Sequence, residues 1–259
     1  MTNELLYEIT DGVGRITFNR PDQRNALTYG MYEGLAEICA NAPTDGSVKA
    51  IIVSGAGDRA FAAGTDMTQF RAFAEPQDAL DYEAKMDRVL EAVERCPIPT
   101  IAAITGACTG GGAAIAAACD LRISDARLKF GFPIARTLGN CLSINNLNRL
   151  SVLLGPGRMR EILFTARLIE AEEAQQIGLV SEVLADAADL RRRADELAAL
   201  VADHAPLTLR ATKEGLRRLR VEGPDADGSD LIVGAYMSAD FKEGMEAFLG
   251  KRKPTWSGK

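Results

Sequence analysis

Two short apolar runs, each ending in a cluster of small residues, constrain this chain more than any other feature. Lys49 to Gly55 (KAIIVSG) leads to Phe61-Ala62-Ala63-Gly64-Thr65-Asp66, and Thr100 to Thr105 (TIAAIT) leads to Gly106-Ala107-Cys108-Thr109-Gly110-Gly111-Gly112. Short, nearly continuous apolar runs are the pattern of strands buried on both faces, as in a parallel sheet. Small residues after them let a ligand approach the backbone closely. The second turn opens an alanine-rich helix near 110–119. Its first amides lack intrahelical partners and carry the positive end of the helix dipole. A carbonyl oxygen placed there gains hydrogen bonds as it acquires negative charge. Read alone, a Gly-Gly-Gly turn before a helix more often serves only tight helix–strand packing.

The rest of the chain continues the alternation. Residues 4–19 read as a hairpin, with Leu5, Tyr7 and Ile9 alternating, a turn at Asp11-Gly12, and Val13, Ile16 and Phe18 following. Leu27, Met31, Leu35 and Ile38 recur at helical spacing. A helix is predicted over 77–95, with Leu80, Met86 and Leu90 among its apolar positions, and strands over 121–124 and 128–130. Beyond residue 142 the pattern is mainly helical. Pro156 opens a helix running to about Ala166, and three more helices are predicted over 186–203, 206–220 and 228–249. Strands and helices early, helices late, indicate an α/β core with a helical C-terminal part. The expected division is 1–195 for the core and 196–259 for the helical region. No internal repeat is visible.

Composition removes several classes of function. Thirty Lys and Arg against 36 Asp and Glu give a net charge of −6, which disfavours nucleic acid as a partner. No apolar run approaches the ~18 residues of a membrane span. The first residues show no basic segment followed by an apolar one. The five cysteines, Cys39, Cys96, Cys108, Cys119 and Cys141, form no CxxC pair, and a cytoplasmic location is expected. With one histidine, His204, and no cysteine cluster, no metal site is expected. His204 precedes Ala205-Pro206 and reads as a boundary between helices.

Five segments together resemble the crotonase superfamily, the enoyl-CoA hydratase/isomerase family. They are ITFNRPDQRNAL (16–27), FAAGTDM (61–67), GACTGGGAAIAAACDLRISDARLKFGFP (106–133), TARLIEAEEAQQIGLVSEV (165–183) and FLGKRKPTW (248–256). The resemblance implies a spiral of ββα turns with a C-terminal helical region that mediates trimerisation. It implies an acyl-CoA thioester substrate, as in fatty acid metabolism, with no separate cofactor, since coenzyme A enters as part of the substrate. It assigns the thioester oxygen to the backbone N–H groups of Thr65 and Gly111. Such a hole stabilises an enolate or tetrahedral oxyanion, and one donor can be worth roughly 3–4 kcal/mol. By the same resemblance Arg24, Ala26 and Leu27 border the CoA groove and Ala63 accepts from the adenine through its carbonyl. Phe248 and Lys251 reach the nucleotide's 3′-phosphate from a neighbouring subunit. A lysine suits a phosphate as a point charge.

The chain departs from the family at the acid–base positions. Family hydratases carry one glutamate three residues after the oxyanion glycine, where this chain has Ala114. The second follows a proline, where this chain has Ile134 or, allowing for a one-residue insertion, Ala135. None of these can transfer a proton. Each general acid–base step typically contributes 10²–10⁴-fold, so hydration is expected to be slow. Isomerisation needs one base. Decarboxylation of a malonyl-type thioester needs less, because loss of CO₂ creates the enolate directly.

Replacement groups can come from elsewhere. Arg136 could pair with a substrate carboxylate or phosphate, or with a surface carboxylate. Asn140 reads as the cap of a helix beginning near Leu142. Cys108 and Cys141 read as buried, inert thiols. Asp66 holds its loop by family pattern, and Asp120 anchors the turn after the alanine-rich helix. Tyr82 and Glu83 fall on the helix after the first motif, a region that lines the acyl pocket in the family, although spacing places Glu83 on a solvated face.

Two readings follow. One is an acyl-CoA enzyme that stabilises an enolate, as a lyase or an isomerase. The other is an acyl-CoA-binding protein that kept the scaffold and lost the chemistry. A nicotinamide dehydrogenase is weaker, because GACTGGG is not the GxGxxG that follows a first strand. A homotrimer, or a hexamer of paired trimers, is expected.

Overall fold

The computed structural model describes residues 3–259. Ten strands are β1 (Leu5–Thr10), β2 (Val13–Phe18), β3 (Ala50–Gly55), β4 (Ala60–Ala63), β5 (Thr100–Ile104), β6 (Ala107–Thr109), β7 (Leu121–Asp125), β8 (Lys129–Gly131), β9 (Ile169–Glu170) and β10 (Glu182–Leu184). They form a six-stranded sheet in the order β1-β2-β3-β5-β7-β10 and a four-stranded sheet in the order β4-β6-β8-β9. The β1–β2 hairpin is antiparallel, with Thr10 opposite Val13 across the Asp11-Gly12 turn. From β2 to β10 the large sheet is parallel.

The pairs β3–β4, β5–β6 and β7–β8 repeat one move. Each first strand enters the large sheet and each second strand the small one. A helix follows every pair: α2 (Pro76–Arg95), α3 (Gly111–Ala118) and α4 (Ile134–Thr137), while α1 (Tyr29–Ala40) precedes the first pair. This is the expected spiral of ββα turns. The repeat lives in the topology, because each turn needs only a buried strand and small residues at the bend, which many sequences supply.

The two faces of the large sheet explain the unbroken apolar runs. In β3, Ile51 and Val53 join a cluster with Met31, Tyr32 and Leu35 of α1 and Val89, Leu90 and Val93 of α2. The intervening Ala50 and Ile52 join Leu190, Ala194 and Ala198 on the opposite face. Alternate side chains point to opposite faces, so a strand covered on both sides must be apolar throughout. The edge strand β1 is covered less, and Ile9 near its turn is exposed.

The remaining helices are α5 (Ile144–Leu154), α6 (Pro156–Thr165), α7 (Ala171–Gln176), α8 (Ala187–Ala202), α9 (Pro206–Glu222), α10 (Ser229–Tyr236) and α11 (Ala239–Leu249). Several details differ from the sequence expectation. The helix over 228–249 is two helices, because the Ser238 side chain accepts from the Phe241 amide and caps α11 afresh. Residue 195 lies inside α8, whose buried Leu190, Ala194, Leu197, Ala198 and Val201 all face the sheet, so no break occurs there. Leu80 is exposed on α2, while Met86 and Leu90 are buried. The short β9 and β10 are strands within the stretch read as helical.

Candidate active site

Leu27 precedes α1 rather than starting it, and it zips the first loop to the first small-residue turn. The Leu27 amide donates to the Gly64 carbonyl at 2.8 Å, and the Asp66 amide donates to the Leu27 carbonyl at 2.9 Å. This is a parallel bridge between Leu27 and Thr65. In a parallel bridge the central residue bonds to the two neighbours of its partner, so the Thr65 N–H is not used by it and faces away from the Leu27 segment. The Asp66 carboxylate accepts from the Thr68 amide and hydroxyl at 3.0 and 2.7 Å and pairs with Arg20 at 2.9 Å. These hydrogen bonds hold its carboxyl below the usual aspartate value. It fixes the loop, as expected.

The second turn lies against the first. Gly110 adopts φ +53°, a region that favours glycine, and its carbonyl accepts from the Ala114 amide to start α3. Gly111 is thus the first helical residue, with an amide that has no intrahelical acceptor. A side chain there would overlap the Tyr32 hydroxyl and approach the Thr65 hydroxyl at 3.4 Å. Asp125 braces this turn from behind, because its fully buried carboxylate accepts from the Gly106 amide at 3.0 Å.

Thr65 and Gly111 line one cavity of about 330 Å³. Its wall is apolar at Met67, Phe70, Met86, Phe132 and Leu142. Three hydroxyls form a chain beside the two amides. The Thr65 hydroxyl shares hydrogen bonds with those of Tyr32, at 2.8 Å, and Tyr82, at 2.9 Å. Burial pushes the Tyr32 phenol far up and the Tyr82 phenol to about 12, so both stay protonated at neutral pH.

Glu83 also lines the cavity, so it is not on a solvated face. It is half-buried, and burial raises its carboxyl above the ordinary glutamate value. Asp87 adds to the rise and a hydrogen bond from the Ser143 amide opposes it. Among the described residues, Glu83 is the one charged side chain lining this cavity. Sequence spacing missed it because α2 carries polar residues on much of its surface, and only the packing of 138–146 against α2 shows which of them are enclosed.

The other predicted positions fall as follows. Ala114 and Ile134 line the cavity, whereas Ala135 is exposed and outside it. Arg136, on α4, is exposed and does not line the cavity, because the inward positions of that short helix go to Ile134 and Thr137. Asn140 lines the cavity and caps nothing; Ser143 caps α5, accepting from the Asn146 amide. Cys108 is buried but Cys141 is exposed, on the segment beside the cavity. Asp120 accepts from the Thr100 amide and hydroxyl and from Lys213 at 2.7 Å, tying β5 to α9. His204 lines a different cavity, of about 390 Å³, beside the C-terminal tail.

Of the CoA positions, Ala63 lines the cavity. Arg24 and Ala26 do not line it; they lie in the loop before α1, where the Ala63 amide donates to the Arg24 carbonyl at 3.0 Å and Arg20 donates to the Ala26 carbonyl at 2.7 Å. The Leu27 side chain is fully buried, so its contribution is through backbone pairing. Phe248 and Lys251 are exposed at the end of α11 and do not line this chain's own cavity. Among the described residues no group of His, Cys, Asp and Glu is arranged to hold a metal ion, and no helix is long and apolar enough to cross a membrane.

A spiral of ββα turns with two small-residue bends over one apolar cavity defines the class, and comparison with known proteins names it. The profile described as "Enoyl-CoA hydratase/isomerase" matches residues 8–259, and the chain belongs to that family. It is 31% identical to the short-chain-enoyl-CoA hydratase of Clostridium acetobutylicum, covering 97% of this chain and 96% of the relative. It is 34% identical to the (E)-benzylidenesuccinyl-CoA hydratase of Thauera aromatica, covering 97% and 98%. A crystal structure of an enoyl-CoA hydratase/carnitine racemase from Magnetospirillum magneticum is similar with a TM-score of 0.90 and 33% identity, covering 100% of this chain and 97% of that one.

Proposed function

We propose that this protein is an enzyme acting on acyl-CoA thioesters through an enolate-type intermediate. The observation that carries the reading is the meeting of Thr65 and Gly111 at one apolar cavity. The Thr65 N–H is left free by the Leu27 bridge, and the Gly111 N–H opens a helix. Two such donors stabilise a thioester oxygen more as it becomes an oxyanion than before, which lowers the barrier. The apolar wall suits a hydrocarbon acyl group. Arg24, Ala26, Leu27 and Ala63 would border the CoA, with Phe248 and Lys251 serving the site of a neighbouring subunit in a homotrimer or hexamer. Exposed apolar side chains on α9, α10 and α11, including Leu216, Ile232, Tyr236 and Phe248, support assembly through this region.

Water addition is disfavoured, because Ala114 and Ile134 stand where family hydratases carry glutamates. Decarboxylation of a malonyl-type thioester is disfavoured too. A substrate carboxylate would enter beside Glu83, and among the described residues no Lys, Arg or His lines the cavity to receive it. The remaining reading is a proton transfer within the acyl chain, as in an isomerase. Calorimetry with hexanoyl-CoA and loss of the conjugated absorbance of crotonyl-CoA test it together. Binding with hydration near background supports the reading. Failure to bind any acyl-CoA overturns it, and rapid hydration would mean that acid and base have been relocated.

A further inference from the structure

The acyl-CoA reading leaves the proton unassigned, and the cavity contains one group able to take it. Resting on that reading, we propose that Glu83 is the acid–base group of this site, removing a proton from the acyl chain and returning it to the same molecule.

The placement is built rather than incidental. Glu83 projects from α2 into the wall that Thr65 and Gly111 share, and its neighbour Tyr82 touches the Thr65 hydroxyl at 2.9 Å. The Ser143 backbone lies on the Glu83 side of α5's start and favours the charged form of its carboxyl, against the effect of burial. Ser143 is itself clamped, because its hydroxyl donates to Asp87, one turn further along α2, at 2.6 Å. Asn145 donates to the other Asp87 oxygen at 3.1 Å. Asp87 therefore holds the start of α5 against α2, one turn from Glu83. The nearby Tyr32 and Tyr82 phenols stay protonated, so they can donate hydrogen bonds but cannot serve as bases. Enclosure of Glu83 raises its proton affinity, which suits a group that must take a proton and give it back.

For a 3-enoyl thioester the step balances without any other reactant. A Glu83 carboxylate oxygen forms a bond to the α-proton. The electron pair of the broken Cα–H bond moves into the dienolate, whose charge rests on the thioester oxygen at the Thr65 and Gly111 amides. The dienolate then takes the proton back from Glu83 at the γ-carbon, giving the 2-enoyl thioester and the starting carboxylate. Addition of water would need a second acid–base group, and no other carboxylate lines the cavity among the described residues. The geometry thus favours a shift of one proton within the ligand.

The test uses the full chain with trans-3-hexenoyl-CoA in D₂O, following the rise of conjugated-enoyl absorbance and deuterium uptake by mass spectrometry. Hexanoyl-CoA binding is measured in parallel by calorimetry. Glu83→Gln keeps the side chain's size and shape and removes only its ionisable group, so the fold and the binding should persist. We expect the wild type to convert the substrate, Glu83→Gln to be at least about 10²-fold slower with unchanged hexanoyl-CoA affinity, and Glu83→Asp to recover part of the rate. Conversion by Glu83→Gln at the wild-type rate overturns the proposal and leaves the acyl-CoA reading standing. A wild type that binds hexanoyl-CoA but neither isomerises nor exchanges overturns the proposal and the enolate chemistry, and leaves acyl-CoA binding alone standing. A wild type that binds no acyl-CoA overturns both.

Discussion

The Tyr32 hydroxyl fills the space that a side chain at position 111 would take. It is held there by the Thr65 hydroxyl at 2.8 Å, so a residue of α1 sets the gap between the two bends of the spiral. Gly111→Ala must displace either Tyr32 or the first turn of α3, and with it one amide donor. We expect turnover of an acyl-CoA substrate to fall on the order of 10²–10³-fold. Adding Tyr32→Phe, which removes the clashing oxygen, should restore part of it. Steady-state kinetics on the single and double variants decide this, and equal activity in all three forms would contradict it.

Ala114 and Ile134 line the cavity, and the family resemblance puts them where hydratases carry glutamates. Installing Ala114→Glu with Ile134→Glu should raise crotonyl-CoA hydration by roughly 10² or more over the wild type. Ala114 is buried, so the added carboxyl is partly desolvated and the melting temperature should drop. Absorbance kinetics and a thermal melt measure the two effects.

Glu214 is bonded by Arg217 at 2.8 and 2.9 Å and by Arg218 at 2.8 Å, which holds its carboxyl down to about 2, against 4.5 ordinarily. A carboxyl lower in the folded state than in the unfolded chain stabilises the fold above the unfolded value. That stabilisation is lost as pH falls from about 4.5 toward about 2. Melting temperatures measured across this window should fall less steeply for Glu214→Gln than for the wild type.

Ile232 and Tyr236 lie one turn apart on α10, and both are exposed. If this face packs in a trimer, light scattering will give a trimer or hexamer for the wild type. Ile232→Asp with Tyr236→Asp should reduce the mass toward a monomer, because burying two carboxylates there is costly. On the proposed reading, in which Lys251 serves a neighbour's site, acyl-CoA affinity should weaken with it.

Of the five cysteines, Cys141 alone is exposed. A native chain should therefore react with one equivalent of a thiol reagent, rising to five on unfolding. Leu138, Asn140 and Leu142 beside it line the cavity, so hexanoyl-CoA should slow the reaction. Cys141→Ser should abolish the native signal.

Much of the scaffold was legible in local patterns. The KAIIVSG run predicts a buried strand because a strand covered on both faces has no polar position to spare, and Ile51 and Ile52 do face opposite clusters. The glycine bends were legible because few residues other than glycine adopt the φ of Gly110. The errors share a cause as well. Predicting one helix over 228–249 overlooked that Ser238 can cap a new helix, and placing a boundary at 195 overlooked that α8 continues along the sheet.

The sequence by itself determined the strands and the small-residue bends, since these depend on residue type and short-range order; the family resemblance, not local pattern, singled out the Thr65 and Gly111 amides within those bends. The sequence also determined what is missing, because Ala114 and Ile134 carry no ionisable group wherever they lie. Only the tertiary structure decided which side chains complete the cavity. Tyr32, Tyr82 and Glu83 come from α1 and α2, and their enclosure depends on how those helices pack on the sheet and on where the segment before α5 crosses them. A helical residue's exposure is fixed by its neighbours in space. For that reason Glu83 reads as solvated in one dimension and lines the cavity in three.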